Sequence, residues 1–85
     1  MITLNHINIY RKYNGDGDGF IRCATSEEKA VMDYKHWSLI ASLVQDIFFI
    51  KKGLASDAFV KMTYEKLNNS CEGEETIAQL QKLVM

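Results

Sequence analysis

From residue 34 to residue 52 this 85-residue chain carries apolar side chains at helical spacing along two lines. Trp37, Ile40, Ala41, Val44 and Phe48 form one, and Leu39, Leu43, Ile47 and Ile50 form the other. Together they cover more than half of a helix's circumference, and a helix apolar on so many sides must be packed on several of them. Asp33 is placed to cap its start, Lys51 and Lys52 suit its negative C-terminal end, and Gly53 supplies a stop. The spacing therefore predicts an all-α fold: a compact bundle of four to five short helices around a central helix at 34–52. The length fits one domain, 1–85.

Flanking segments supply the remaining helices. Thr3 is an N-cap for a helix over 3–13, with Ile2, His6, Ile9 and Tyr13 on one stripe and Leu4, Ile7 and Tyr10 on the next. Asn14-Gly15 favours the left-handed geometry that ends it. Thr25-Ser26-Glu27-Glu28 is a capping-box signal that starts a short helix to about Met32. Ser56 caps a helix over 56–69, whose buried face is expected to be Phe59, Met62 and Leu67 with parts of Val60 and Tyr64. The last helix runs from about 74 to 83, with Ile77, Leu80 and Val84 as its stripe. No proline is present, in keeping with few strand-linking turns.

Composition removes several function classes. Lys and Arg number 10 against 11 Asp and Glu, for a net charge of −1. By thirds the balance runs from about +1 through 0 to about −2, so no segment has the basic excess that a phosphate backbone requires. The longest apolar run, Ile47-Phe48-Phe49-Ile50, is too short to span a bilayer. No basic region followed by an apolar run marks a signal peptide, which points to the cytoplasm. Two distant cysteines, Cys23 and Cys71, are then expected to be reduced thiols.

Residues 14–24, Asn14-Gly15-Asp16-Gly17-Asp18-Gly19-Phe20-Ile21-Arg22-Cys23-Ala24, are the most distinctive stretch. Three alternating glycines oppose a helix, so a loop anchored by Phe20 and Ile21 is expected. Over 14–25 this stretch resembles the first half of an EF-hand calcium loop. Asn14, Asp16 and Asp18 fall at its first three ligand positions, Gly19 at its sharp turn and Phe20 at its carbonyl ligand. Those four ligand residues, Asn14, Asp16, Asp18 and Phe20, are the candidate metal set. Thr25 stands where a bidentate glutamate belongs, and Asn14 replaces the usual leading aspartate, so any calcium site is weak. The simpler reading is a turn whose aspartates bond to local backbone N–H groups.

The segment Tyr10-Arg11-Lys12-Tyr13-Asn14-Gly15-Asp16-Gly17-Asp18-Gly19-Phe20 also resembles a Tyr-x-x-Tyr-x-Gly-Asp-x-Asp-Gly-Phe/Trp loop found in a group of small uncharacterised bacterial proteins. Trp37-Ser38-Leu39-Ile40 and Lys51-Lys52-Gly53-Leu54-Ala55 are compatible with the same group. The resemblance carries no activity. It implies that the loop is a fixed structural element and not a calcium site.

Chemistry-bearing residues are sparse. His6 lies on an apolar stripe and reads as a partly buried helix residue, and His36 as one near a helix N-terminus; neither has metal ligands at the usual spacing. Ser38 and Ser42 sit one turn apart and read as packing residues. The glycines lack the lysine and strand context of a phosphate loop. No cofactor is expected. These features favour a non-enzymatic protein-interaction module of a bacterial cytoplasm, immunity-like or homo-oligomeric. Its apolar content, exemplified by Phe48-Phe49-Ile50, exceeds what a monomer this small readily hides. The alternatives are a weak calcium- or metal-responsive protein using the 14–25 loop, and a small enzyme using His36 or Cys23.

Overall fold

Five of the six described helices begin at a side chain that caps them. In the computed structural model, which describes residues 1–84 and leaves only Met85 of the expected domain outside, the first helix, α1, spans Leu4–Lys12. Thr3 caps it, its hydroxyl accepting from the His6 N–H, while the His6 ring reaches back to the Thr3 N–H. Asp16 caps α2 (Gly17–Cys23), Thr25 caps α3 (Ser26–Val31), Asp33 caps α4 (Tyr34–Lys51) and Ser56 caps α5 (Asp57–Ser70). The last helix, α6, runs Gly73–Lys82. The fold is an all-α helical bundle, and among the described residues its helices number six.

Two helices end in the same way. After α1 the Gly15 N–H reaches the Tyr10 carbonyl and the Asn14 N–H reaches that of Arg11, at 3.1 and 3.0 Å, with Asn14 and Gly15 both at positive φ. After α4 the Leu54 and Gly53 N–H groups repeat the pattern onto Phe49 and Ile50. Such paired bonds satisfy carbonyls that the helix leaves free, and they need a left-handed residue past the cap, which Gly53 supplies at φ 75°.

The central helix is α4. It packs against α1, α5 and α6, while α1 also meets α3 and α6. Its Ile40, Leu43 and Ile47 join Ile2, Ile7, Ile9, Met32, Leu67, Cys71, Leu80 and Val84 in the core. The chain's N-terminal end is pinned to the turn before α6: Ile2 donates to the Ser70 carbonyl at 2.7 Å and accepts from the Glu72 N–H at 2.8 Å. Cys71 is buried beside Ile2, Cys23 is exposed on α2, and the two thiols are free. Among the described residues, no helix is long and apolar enough to cross a membrane.

Two expectations are corrected. Residues 17–23 are helical and not a loop. Gly17 and Gly19 fall at the first and third positions of α2, where the chain is still entering the helix, and the Asp16 carboxylate holds the Asp18 N–H at 3.1 Å. A strong cap outweighs a glycine penalty confined to the first turn. The second correction concerns α5, which buries Thr63 and Leu67 and leaves Met62 56% exposed. The bridge between Ile2 and Cys71 fixes the end of α5, so the line Thr63, Leu67, Cys71 faces the core and Met62 is turned outward.

Candidate functional site

The N-terminal halves of α2 and α4 converge on an aromatic cluster. Phe20, the anchor of α2, packs on Trp37 of α4 with ring centroids 5.0 Å apart, and meets Tyr13 edge-on at 5.6 Å. Trp37 continues to Tyr10 of α1 at 4.7 Å. At Gly17 the α2 backbone runs alongside Trp37: a Cβ built there would stand 3.6 Å from the indole nitrogen, an ordinary van der Waals contact.

Between α2 and α4 the cluster floors an open cleft of about 430 Å³. Phe20 and Trp37 form its base, and Ile21 and Tyr34 form its apolar rim. Ile21 is 68% exposed and Tyr34 84% exposed, although both are large apolar or amphipathic side chains. Three acidic residues, Asp16, Asp18 and Asp33, line the same cleft, and no basic residue does among the described residues. A second cleft, about 460 Å³, lies between Tyr10, Arg11 and Lys82, but the Arg11 guanidinium there is already bonded to Asn8 and Gln79.

The cleft gathers most of the residues singled out as calcium ligands, though not in a calcium loop. Asn14 sits apart in the turn after α1. Asp16 caps α2, Asp18 lies in its first turn, and the Phe20 carbonyl accepts the Ala24 N–H at 3.0 Å, as a helix carbonyl does. Among the described residues, no group of three or more His, Cys, Asp or Glu side chains is arranged to hold a metal.

His6 and His36 are brought together from the ends of two helices. Each is the third residue of its helix and closes a capping box, His6 with Thr3 and His36 with Asp33. Their rings stack at 4.0 Å with 19° between planes. His6 Nδ1 accepts the Thr3 N–H at 2.9 Å, and Nε2 lies 3.1 Å from the Val31 carbonyl, so its neutral form carries the proton on Nε2. Burial, and then the neighbouring His36, lower its pKa from the ordinary histidine value. The His36 Nδ1 lies 2.7 Å from Asp33 Oδ1. Cys23, at the far end of α2, hydrogen-bonds to neither ring among the described residues. The sequence carried the local half of this arrangement in Thr3-x-x-His6 and Asp33-x-x-His36; the stacking depends on α1 and α4 packing and has no local signature.

A further cross-link ties the α2–α3 limb to α1. Tyr13 donates to Glu28 Oε1 at 2.6 Å and Lys12 to Oε2 at 2.9 Å, while the Thr25 N–H also reaches Oε1. These donors hold the Glu28 carboxyl down at about 2, the Tyr13 hydroxyl first among them. In comparisons with known proteins, no family model, no curated protein and no solved structure matches this chain.

Proposed function

We propose that this protein is a non-enzymatic interaction module that docks a protein partner through the cleft between α2 and α4. The observation that carries the reading is the cleft itself, with an aromatic floor of Phe20 and Trp37 and large, exposed rim residues, Ile21 and Tyr34. Exposed aromatic and aliphatic side chains around a preformed concavity are what a partner's anchor residues bury against. The limb that forms one wall is held rigidly by Phe20 and by the Glu28 network, so little order must be acquired on binding. A bacterial cytoplasmic setting belongs to the same proposal.

A photo-crosslinking residue in place of Tyr34 tests it in the native host. A discrete adduct with one protein is expected, lost when Ile21→Asp is added. Adducts no more abundant than from a crosslinker at Glu65, which lines no part of the cleft, would overturn the reading.

A second surface favours self-association. Phe48 is 52% exposed at the end of α4, beside exposed Phe49, which meets Phe59 of α5 edge-on at 5.6 Å. Sedimentation showing a dimer dispersed by Phe48→Glu supports that use of this edge, and a monomer at all concentrations excludes it.

A further inference from the structure

We infer that the α2–α4 cleft recognises an arginine side chain of its protein partner, a guanidinium laid on the Trp37–Phe20 floor and held by the rim carboxylates. The inference rests on the reading of the cleft as a docking surface and specifies the chemistry of what enters it. Two independent features coincide there. The floor and rim are aromatic, with Phe20 and Trp37 below and Tyr34 beside them, and aromatic faces attract cations. Among the described residues, the charged ones lining the cleft are Asp16, Asp18 and Asp33.

The carboxylates are not all neutralised by their own surroundings. Asp16 and Asp33 are occupied in part as helix caps, accepting from the Asp18 and His36 N–H groups, and Asp33 Oδ1 also has the His36 Nδ1 2.7 Å away. Each cap also faces the positive end of its helix, equivalent to about half an elementary charge and weaker for a helix as short as α2. Two such ends offset about one of three negative charges and His36 stands beside Asp33, which leaves Asp18 as the carboxylate least engaged by its surroundings. Among the described residues the Asp18 carboxylate caps no helix and makes no hydrogen bond, so it is available to pair. Among cations, a guanidinium fits best. It is planar, so it stacks on an indole, and its fork of donors reaches two carboxylates at once; an ammonium does neither as well.

Trp37 is the sole tryptophan of the chain, so its fluorescence reports on the cleft directly. The probes are end-blocked five-residue peptides, leucine on either side of a central arginine, citrulline, lysine or glutamate. The arginine peptide is expected to change Trp37 emission saturably, and the neutral isostere citrulline to bind about tenfold more weakly, the loss typical of one charge-assisted contact. Asp18→Asn and Asp33→Ser test the carboxylates; serine is itself a good N-cap, so Asp33→Ser removes charge while keeping the start of α4. Each is expected to weaken the arginine peptide severalfold while thermal unfolding stays cooperative. Equal binding of the arginine and citrulline peptides, or of the arginine and lysine peptides, overturns the inference. So does unchanged affinity in both folded variants. A specific adduct from position 34 with no response to the arginine peptide rejects the guanidinium and leaves the docking surface standing; failure of both experiments removes the docking surface as well.

Discussion

The His6 ring lies flat on the His36 ring, 4.0 Å away, with its Nδ1 facing the Thr3 N–H and its Nε2 facing the Val31 carbonyl. That geometry has room for one proton on His6. A second would sit on Nδ1 against a backbone donor and beside another imidazole, in a buried position. Burial and His36 accordingly lower its pKa below the ordinary 6.5.

The unfolded chain therefore binds this proton more readily than the folded one. The stabilisation is fully present above the unfolded value and is lost as the pH falls below it towards the lowered folded value. Thermal unfolding between about pH 7.5 and about pH 5.5 is expected to show a falling melting temperature. His6→Gln keeps a capping-box partner for Thr3 but removes the titrating ring, and is expected to flatten this slope. An unchanged slope in the variant would show that His6 is not its source.

Glu28 governs a separate, more acidic window. Three donors hold its carboxyl at about 2 against an ordinary value of 4.5. Here the folded pKa is depressed, so the stabilisation is present above 4.5 and disappears as the pH falls through 2. Glu28→Gln retains an oxygen for the Tyr13 hydroxyl and the Thr25 N–H but loses the charge facing Lys12. It should lower stability at neutral pH and reduce its loss between those two values. A carbon-detected titration placing the Glu28 inflection near 4.5 would contradict the network.

The same residues show how far the sequence is legible. The caps at Thr3, Thr25, Asp33 and Ser56, and the stop at Gly53, lie within a few residues of the backbone groups they satisfy, so local pattern suffices to find them. The core of α4 was legible for the same reason, since its two apolar lines include Ile40, Leu43 and Ile47. The helix at Gly17–Cys23 is hidden because its glycines lower intrinsic propensity, and the Asp16 cap that offsets them is joined by Phe20 packing on Tyr13 and Trp37, which has no local signature. The cleft was hidden too. Asp16 and Asp18 stand in the sequence as candidate ligands of an ion, but Asp33, Tyr34 and Trp37 join them only through the packing of α2 on α4.

Thr63 illustrates the cost of a face chosen by distant contacts. It is 1% exposed on α5, and its hydroxyl has no hydrogen-bond partner among the described residues. Valine has the same branched shape without the polar group, so Thr63→Val is expected to raise stability by about 1 kcal/mol. Thr76, also buried, donates to the Glu72 carbonyl at 2.7 Å, so Thr76→Val is expected to cost about 1 kcal/mol. Denaturant unfolding of the two variants gives shifts of opposite sign; shifts of the same sign would show that burial alone, and not hydrogen bonding, sets both.

The last expectation concerns calcium and the segment from Asn14 to Thr25. A calcium loop would draw the side chains of Asn14, Asp16 and Asp18 and the carbonyl of Phe20 around one ion. Here the Asp16 carboxylate holds the Asp18 N–H, the Phe20 carbonyl is used by Ala24, and Thr25 caps α3 through its hydroxyl. Ion binding would have to unwind α2 and release Phe20 from Trp37, in exchange for two carboxylates and no bidentate glutamate. Calcium at about 1 mM is therefore expected to leave the melting temperature unchanged, since a ligand stabilises only above its dissociation constant. Phe20→Ala should lower stability by about 2 kcal/mol, less than for a fully buried phenylalanine because the ring is half-buried. A rise in melting temperature at sub-millimolar calcium, abolished by Asp16→Asn, would mean that the segment can leave its helical form and close around an ion.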